Sequence, residues 1–182
     1  MAPPWLPILR DSLKQQFGTK PAIMTLASVD VQGAPQARSV VCRRITDDGE
    51  LWVVSDARSG KQSDLNANPN SSLLFWLPDL RRQFRICSTH VLGIDEAEEL
   101  WPTLSDATRA MFTWPAPGDA FDDSTVFPAE LPASEPPPEF YELIVFIPLT
   151  VEMLDLTAHP HRRIRWEKPN PDANWAERRV NP

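Results

Sequence analysis

Residues 37–45, ARSVVCRRI, combine the apolar centre of a buried β-strand with arginines at both ends. Arg38 stands near the start of this stretch, and Arg43 and Arg44 stand near its end. The chain carries a formal net charge of −7, so these cations do not reflect a generally basic composition. Cations grouped beside a predicted core in an acidic chain indicate a local site for an anion.

The spacing of the flanking arginines limits what they bind together. Arg38 and Arg43 are five residues apart, and an odd spacing in a strand directs two side chains to opposite faces of the sheet. One anion on one face would meet both only if a bulge intervened, so we expect each arginine to serve a different group. The alternative is a strand with exposed ends, whose arginines extend outward into solvent.

The composition predicts one globular domain, residues 1–182, and argues against several classes of partner. A chain of 182 residues, 42% of them hydrophobic, is long enough for one domain with a sizeable core. The negative charge argues against general nucleic-acid binding, which needs a positive surface. No apolar run is typical of a signal peptide or a membrane span. We expect a cytoplasmic protein with no nucleic-acid or membrane partner, and we expect Cys42 and Cys87 to be small buried hydrophobes.

Periodicity and turn residues predict a mainly β chain with flanking helices. An apolar helical face begins at Trp5, and helical spacing returns over residues 97–112. The chain has 20 prolines, which cluster over residues 115–138 and in the tail, and the first cluster predicts a long irregular segment of a kind that is often functional or interfacial. Short strands without a βαβ rhythm predict an antiparallel β-barrel. Besides the opening stretch, strands are predicted at residues 22–29, 51–55, 72–77, 83–91, 143–149 and 151–156, with one more in the tail.

A second polar cluster, residues 55–61, joins the end of a strand to the start of a short helix. Ser59 fits the N-cap position of this helix. The unpaired N–H groups and partial positive charge of a helix N-terminus attract phosphate, and Ser55 and Lys61 add a hydroxyl and a full positive charge. The alternative is a capped surface helix with a solvated lysine.

A third cluster lies in the basic tail that begins at His159. Residues 159–166, HPHRRIRW, contain two of the three histidines of the chain and three arginines. No cysteine or carboxylate stands within this stretch at metal-ligand spacing, so we expect no metal site there. A solvated basic terminus is the alternative.

In their order and spacing, these clusters resemble the motifs of the pyridoxamine 5′-phosphate oxidase family, whose members are FMN-binding split β-barrel proteins. The resemblance extends from about residue 24 to the C-terminus. It implies an antiparallel FMN-binding split β-barrel. The matching stretches are residues 38–43 (RSVVCR), 54–61 (VSDARSGK), 67–75 (ANPNSSLLF), 81–83 (RRQ) and 159–164 (HPHRRI).

The resemblance implies FMN as cofactor and a homodimer with FMN at the interface. In the family pattern, Gln83 and Arg163 approach the flavin from the partner subunit. His161 and Arg43 are implied as the catalytic side chains that face the substrate. Residues implied for cofactor binding are Arg38, Ser39, Val40, Val41, Arg43, Val54, Ser55, Ser59, Lys61, Gln83 and Arg163, of which Arg38, Ser59 and Lys61 would hold the phosphate.

Departures from the family pattern concern the substrate. Gly60 replaces a phosphate-binding arginine of the family, and His159 replaces the first arginine of the tail. Trp101 and Arg109, with His159, are implied as substrate-binding residues. On a helix with four-residue steps, the arginine at 109 would stand one turn from its place in the family's phosphate clamp. We therefore expect weak oxidation of pyridoxamine phosphate.

Three functions remain open at this point. The first is an FMN-dependent oxidoreductase acting on a small anionic or aromatic molecule. The second is a flavin-binding protein without catalysis, such as a carrier or sensor. The third is a split-barrel protein that binds haem, with His159 or His161 as the axial ligand. The segment at residues 115–138 is expected either to cover the flavin or to contact the partner.

Overall fold

The computed structural model describes residues 2–170 and 173–182. Helices in these ranges are α1 (Leu6–Phe17), α2 (Gly60–Ala67), α3 (Ile94–Leu100) and α4 (Asp106–Ala110). Short 3₁₀ turns follow α3 and α4 at Trp101–Thr103 and Met111–Thr113. The strands are β1 (Ala22–Val29), β2 (Pro35–Cys42), β3 (Arg44–Ile45), β4 (Leu51–Asp56), β5 (Ser71–Leu77), β6 (Arg82–Leu92), β7 (Tyr141–Asp155), β8 (Arg162–Glu167) and β9 (Ala176–Val180).

The strands form one antiparallel sheet that curls into a half-barrel. Its order in the described residues is β2-β1-β5-β6-β7-β4-β3, and β8 and β9 extend from β7. The two ends of this order meet in the chain at Arg43, where β2 leaves its partner β1 and the chain pairs with β4 instead. The Arg43 N–H donates to the Trp52 carbonyl over 2.8 Å. This change of partner brings β2 and β4 side by side.

Alternating burial along the strands builds the main core, which α1 covers at one side. The inward side chains of β1 are Met24, Leu26 and Ser28. Trp5, directly before α1, is fully buried against the turn at Gly49. Gly49 has φ +88°, and a Cβ there would lie 2.7 Å from the Trp5 ring, so only glycine fits this turn.

The single helix predicted over residues 97–112 is wrong. α3 ends at Leu100, and α4 begins after Ser105, whose backbone is extended and whose hydroxyl caps the helix by accepting a hydrogen bond from the Thr108 N–H. Pro102 lacks a backbone donor, and it stands where a continuous helix would need one. Trp101, Ser105 and Arg109 therefore do not share one helix face.

Two further predictions are corrected by the sheet. Residues 143–149 and 151–156 form one strand, β7, because the register shift at Cys87/Ser88 accommodates Pro148 without ending the strand. The tail contributes two strands, β8 and β9, where one was predicted.

Cys42 is buried as expected, but Cys87 is exposed because Phe84, Ile86 and Ser88 take the inward positions of β6. In the described residues, no helix is long and apolar enough to cross a membrane.

Candidate functional site: a basic cavity under a proline-rich arc

A cavity of about 640 Å³ lies against β2, β4 and the first turn of α2. We call this side the strand wall. Its predicted cofactor-binding residues are Arg38, Ser39, Val40, Val41, Arg43, Val54, Ser55 and Lys61. The cavity volume falls within the usual range for sites that hold small organic ligands.

Arg38 and Arg43 both line the cavity, although they reach it from different places. Arg38 pairs with the inward Leu26 of β1, and its guanidinium reaches Asp64 of α2. Arg43 follows the change of sheet partner from β1 to β4 and lies near Tyr141. The odd spacing therefore does not keep either arginine from the cavity, and a separate group for each arginine stays a prediction.

Arg38 is oriented by a buried polar pair that the sequence motifs did not indicate. Its guanidinium donates to the Asp64 carboxylate on α2 over 2.7 Å and to the Ser28 hydroxyl on β1. The Ser28 hydroxyl in turn donates to Asp64 over 2.8 Å. Asp64 lies one helical turn after Lys61, and this i,i+3 spacing was the available signal for its place beside the site.

Lys61 lies beside Arg38 and is partly buried. Its ammonium donates to the Ser59 hydroxyl over 2.8 Å. Burial lowers the pKa of Lys61, the Asp56 carboxylate opposes this effect, and the Arg38 charge adds to it. Two neighbouring cations that raise each other's energy are stabilised when an anion binds between them.

Ser59 occupies the predicted N-cap position of α2, but its hydroxyl does not cap the helix. It donates to the Asp56 carbonyl over 2.7 Å and accepts from Lys61. Ser59 is buried and does not line the cavity. Its contact with the site is therefore through the lysine ammonium.

Arg43 is a cation without a partner. In the described part of the chain its guanidinium makes no hydrogen bond or ion pair, and its Nε atom is buried. Burial lowers the pKa of Arg43, and the nearby Tyr141 opposes this effect. The Tyr141 hydroxyl is also buried without a partner, and burial raises its pKa to about 12. A buried unpaired donor costs free energy, so Arg43, which lines the cavity, is arranged for an acceptor that a ligand would bring.

Arg58 does not replace the missing arginine at position 60. Its guanidinium forms a bidentate pair with Asp56, donates to the Trp114 carbonyl over 3.0 Å and stacks 3.5 Å above the Phe140 ring. These contacts hold the side chain against residue 114 and leave it outside the cavity lining. Arg58 thus links the start of α2 to the proline-rich segment.

The proline-rich segment forms the other wall of the cavity. Residues 115–127, which we call the arc, contribute Pro115, Pro117, Asp119, Phe121, Asp122 and Phe127 to the lining, among others. Trp114 closes the arc, since its indole N–H donates to the Pro128 carbonyl over 2.9 Å. The segment therefore lines the same cavity as the predicted cofactor-binding residues, which favours the first of the two alternatives left open by the sequence, while contact with a partner stays a prediction.

Trp101 and Arg109, the predicted substrate-binding residues, do not line the cavity. Arg109 is 2% exposed, and its guanidinium donates to the Leu131 carbonyl over 2.9 Å, to the Leu104 carbonyl and to Asp106. The Trp101 indole N–H donates to the Glu135 carbonyl over 2.8 Å. Both side chains fasten the proline-rich segment to a second core, so neither presents a free donor to a substrate.

Gln83 and Arg163 lie together, away from the cavity of their own protomer. They flank Leu154 on neighbouring strands and line a separate pocket of about 110 Å³. Glu152 in this pocket accepts hydrogen bonds from Arg85, Arg163 and Arg165. Burial opposes ionisation of Glu152, but the arginines outweigh it and hold its pKa below the usual value.

The two tail histidines are exposed and also lie outside the cavity lining of their own protomer. They flank a cis peptide bond between His159 and Pro160, directly before β8. The ring Nδ1 of His161 lies 3.0 Å from the Ala158 carbonyl. The structure therefore brings together eight of the predicted cofactor-binding residues and separates them from Gln83, Arg163 and the histidines.

The donor set of the cavity fits FMN. Arg38 and Lys61 offer two cations to a phosphate, and Arg43 offers an unpaired buried donor to a second polar group. Val40, Val53 and Val54 give the strand wall an apolar surface suited to a planar ring. A ligand with a phosphate, a polar chain and an aromatic ring matches this combination.

Comparison with known proteins agrees with this chemistry. A pyridoxine/pyridoxamine 5′-phosphate oxidase from Haemophilus influenzae is 26% identical over 172 residues, which cover 90% of this chain and 80% of that protein. A pyridoxamine 5′-phosphate oxidase-related, FMN-binding protein from Nostoc punctiforme has a TM-score of 0.88 and 26% identity, and each chain is covered completely. PhzG from Burkholderia lata, solved with tetrahydrophenazine-1-carboxylic acid, has the same fold, with a TM-score of 0.84 at 20% identity over all of this chain and 94% of that one.

These structures confirm the predicted split-barrel fold. The family model described as pyridoxamine 5′-phosphate oxidase, FMN-binding domain, matches residues 2–92, which is half of the chain and includes the whole strand wall. The chain therefore belongs to the pyridoxamine 5′-phosphate oxidase-like family of FMN-binding proteins.

Proposed function

We propose that this protein binds FMN in the basic cavity and acts as an FMN-dependent oxidoreductase on a small substrate. The observation that carries the proposal is the joint presence of Arg38, Lys61 and the unpaired Arg43 around one apolar-walled cavity. Pyridoxine/pyridoxamine 5′-phosphate oxidase relatives support an enzyme.

Each part of the strand wall has a role in this proposal. Arg38 and Lys61 bind the phosphate, and Ser59 orients the lysine. Ser39 and Ser55, with the backbone of Val40 and Val41, border the polar chain and the ring. Val54 packs against the ring face, and Arg43 donates to the ring edge or to the substrate. Bound FMN supplies a two-electron redox centre, while the protein supplies position and charge.

A homodimer completes the site in this proposal. Gln83 and Arg163 lie together outside the cavity of their own protomer, so they suit a role at the cavity of a partner. His159 and His161 begin the same strand region and are exposed. The exposed Trp76, paired with Gln83 across β5 and β6, adds apolar surface to this face. The cytoplasmic location stays a prediction.

Pyridoxamine phosphate is expected to be a poor substrate. Arg109 is buried and fully engaged by carbonyls and Asp106, so it is not free to hold a substrate phosphate. The physical reason thus differs from the one-turn displacement predicted by the sequence, although the expected outcome is the same. Steady-state oxidation beside a true pyridoxamine phosphate oxidase measures it, and equal efficiency would restore the vitamin B6 activity.

The cofactor assignment is tested by titrating FMN into the apoprotein of Lys61→Ala. Losing one charge-assisted contact is expected to weaken FMN binding about ten- to a hundredfold. Lys20→Ala, at an exposed lysine outside the cavity, is the matched control and is expected to bind like the wild type. Unchanged affinity in Lys61→Ala would contradict the phosphate site.

The visible spectrum of the purified protein separates the remaining functions. Flavin bands support the proposal, whereas a Soret band would support haem. Neither histidine offered as the haem ligand, His159 or His161, lines the cavity of its own chain, so haem would need a histidine from a partner. Reduction of the bound flavin by a nicotinamide cofactor or by a substrate would distinguish an enzyme from a flavin carrier.

A further inference from the structure

The arc presents an aromatic face to the cavity. The Trp114 and Phe127 rings meet edge to face at 5.4 Å, and Phe121 stacks parallel to Phe127 at 5.9 Å. Phe121 is 76% exposed although it lines the cavity. An exposed aromatic ring held in a fixed stack at a cavity is typical of a surface that receives a planar ligand.

Charge is distributed unevenly between the arc and the strand wall. The cations that line the cavity, within the described residues, are Arg38, Arg43 and Lys61, all on the strand wall. The strand wall also contributes Asp56, whose carboxylate pairs with Arg58. The arc contributes the carboxylates of Asp119 and Asp122 to the lining and contains no lysine or arginine. Hydrogen bonds from Ser124 hold the pKa of Asp122 below its usual value, so this carboxylate is ionised near neutral pH.

A second phosphate would therefore be poorly stabilised. Under the proposed function Arg38 and Lys61 are used by the flavin phosphate, which leaves Arg43 as the remaining cation of the cavity's own lining for a substrate, since the partner's Arg163 is expected at the flavin ring. A doubly charged phosphate would face one arginine together with the carboxylates of the arc. A single carboxylate matches the charge of Arg43 and can accept two hydrogen bonds from its planar guanidinium.

We propose that the arc selects a planar aromatic substrate that carries one carboxylate and no phosphate. Arg43 binds the carboxylate, and Phe121 and Phe127 stack with the ring. This inference rests on the proposed function, since it assigns Arg38 and Lys61 to FMN. It makes residues 115–127 the determinant of substrate choice, while the strand wall determines the cofactor.

Two probes that differ only in the anionic group test the inference. We would titrate 1-naphthoate and 1-naphthyl phosphate into the FMN-loaded protein by calorimetry. The carboxylate is expected to bind at least about tenfold more tightly than the phosphate, because one well-formed charge-assisted contact is of that order. Equal or tighter binding of 1-naphthyl phosphate would overturn the proposal.

Variants of the arc provide the second arm. Phe121→Ala is expected to weaken 1-naphthoate binding by roughly tenfold through lost stacking and apolar contact, with FMN affinity unchanged. Val126→Ala is the matched control, because Val126 is 85% exposed, belongs to the same arc and does not line the cavity. If Phe121→Ala weakened FMN as much as 1-naphthoate, the arc would belong to the flavin site and the proposal would fail.

The same calorimetric experiment on the flavin-free protein separates this inference from the proposed function. If the protein bound no FMN, the oxidoreductase proposal would fall, and the preference for a carboxylate would fall with it, because Arg38 and Lys61 would then be free to bind a phosphate. If FMN bound normally and 1-naphthoate binding did not depend on Phe121, the inference would fall and the cofactor assignment would stand.

Discussion

The strand wall and the arc enclose one cavity but are held in place by different means. Side chains of the strand wall are positioned by main-chain ladders among β1, β2, β4 and β7. The arc is fastened at its ends by side chains that reach distant carbonyls: Arg58 to Trp114, and Trp114 to Pro128. The arc is therefore held by a few side-chain hydrogen bonds. Losing one of them is expected to disturb the arc more than losing one main-chain hydrogen bond would disturb the strand wall.

The remainder of the proline-rich segment is also held by side chains that donate to distant carbonyls. Arg109 donates to the Leu131 carbonyl, and Trp101 donates to the Glu135 carbonyl. The segment is thus attached to the second core by two large side chains that were predicted to bind substrate. A buried arginine with several carbonyl partners therefore has a structural role, whatever its position in a motif.

Arg109→Met gives the largest expected effect and tests how the proline-rich segment beyond the arc is attached. It leaves the Leu104 and Leu131 carbonyls without their charged donor, so unfolding free energy is expected to fall by about 3–5 kcal/mol. Urea denaturation measures the change. Arg179→Met, at an exposed arginine of β9, is the control and is expected to stay within about 0.5 kcal/mol of wild type. A small effect at Arg109 would show that the segment is held by other contacts.

Arg38→Met tests the strand wall in the same way. The substitution removes a phosphate donor and leaves Asp64 without its cation, so FMN affinity is expected to fall about ten- to a hundredfold. Fluorescence titration of FMN into the apoprotein measures it. Arg44→Met is the neighbouring control, since Arg44 stacks on Trp52 and does not line the cavity. Equal losses in both variants would argue against a specific phosphate contact.

Gly60→Arg tests the strand wall by adding a cation to it. Gly60 has room for a side chain, because a Cβ there would meet no atom within 4 Å. The new arginine stands at the position where the family pattern has one, so FMN affinity is expected to rise by roughly three- to tenfold. Gly60→Ala controls for the gain in helix propensity. No difference between the two variants would mean that the arginine does not reach the phosphate.

The pH dependence of FMN affinity gives the smallest expected effect. Burial lowers the pKa of Lys61 below its ordinary value of 10.5. A phosphate favours the protonated lysine, so affinity is expected to be constant near neutral pH and to fall a few-fold as pH rises through this lowered pKa. In Lys61→Arg the guanidinium stays charged, so the part of the fall that belongs to residue 61 should disappear. An identical pH profile in both proteins would exclude Lys61 as its source.

The sequence predicted the strand wall better than the arc, for physical reasons. β1 was predicted with its observed bounds because apolar alternation reports burial on one face of a sheet directly. The site residues between positions 38 and 61 could be predicted because they follow one another along two strands and the start of a helix. The change of sheet partner at Arg43 was not predicted, because it leaves no local signal.

The arc and the rest of the proline-rich segment depend on contacts between residues far apart in the chain. The bond from Arg109 to Leu131 and the bond from Arg58 to Trp114 span stretches that no periodicity connects. The helix predicted over residues 97–112 failed at Pro102 and Ser105, whose breaking and capping preferences outweighed the apolar spacing. The aromatic residues of the arc were visible in the sequence, but their direction toward the cavity was not.

The hydrogen bond from the Trp114 indole to the Pro128 carbonyl has a consequence for engineering. It holds together the two residues that flank the arc, Trp114 and Pro128, so the arc is a replaceable loop, or cassette, whose ends lie close to each other. Exchanging such a cassette for a shorter or longer one changes the entropy of loop closure only slowly with length. One scaffold with an unaltered strand wall could therefore accept a library of arcs, and each arc would admit a different molecule to the same cavity.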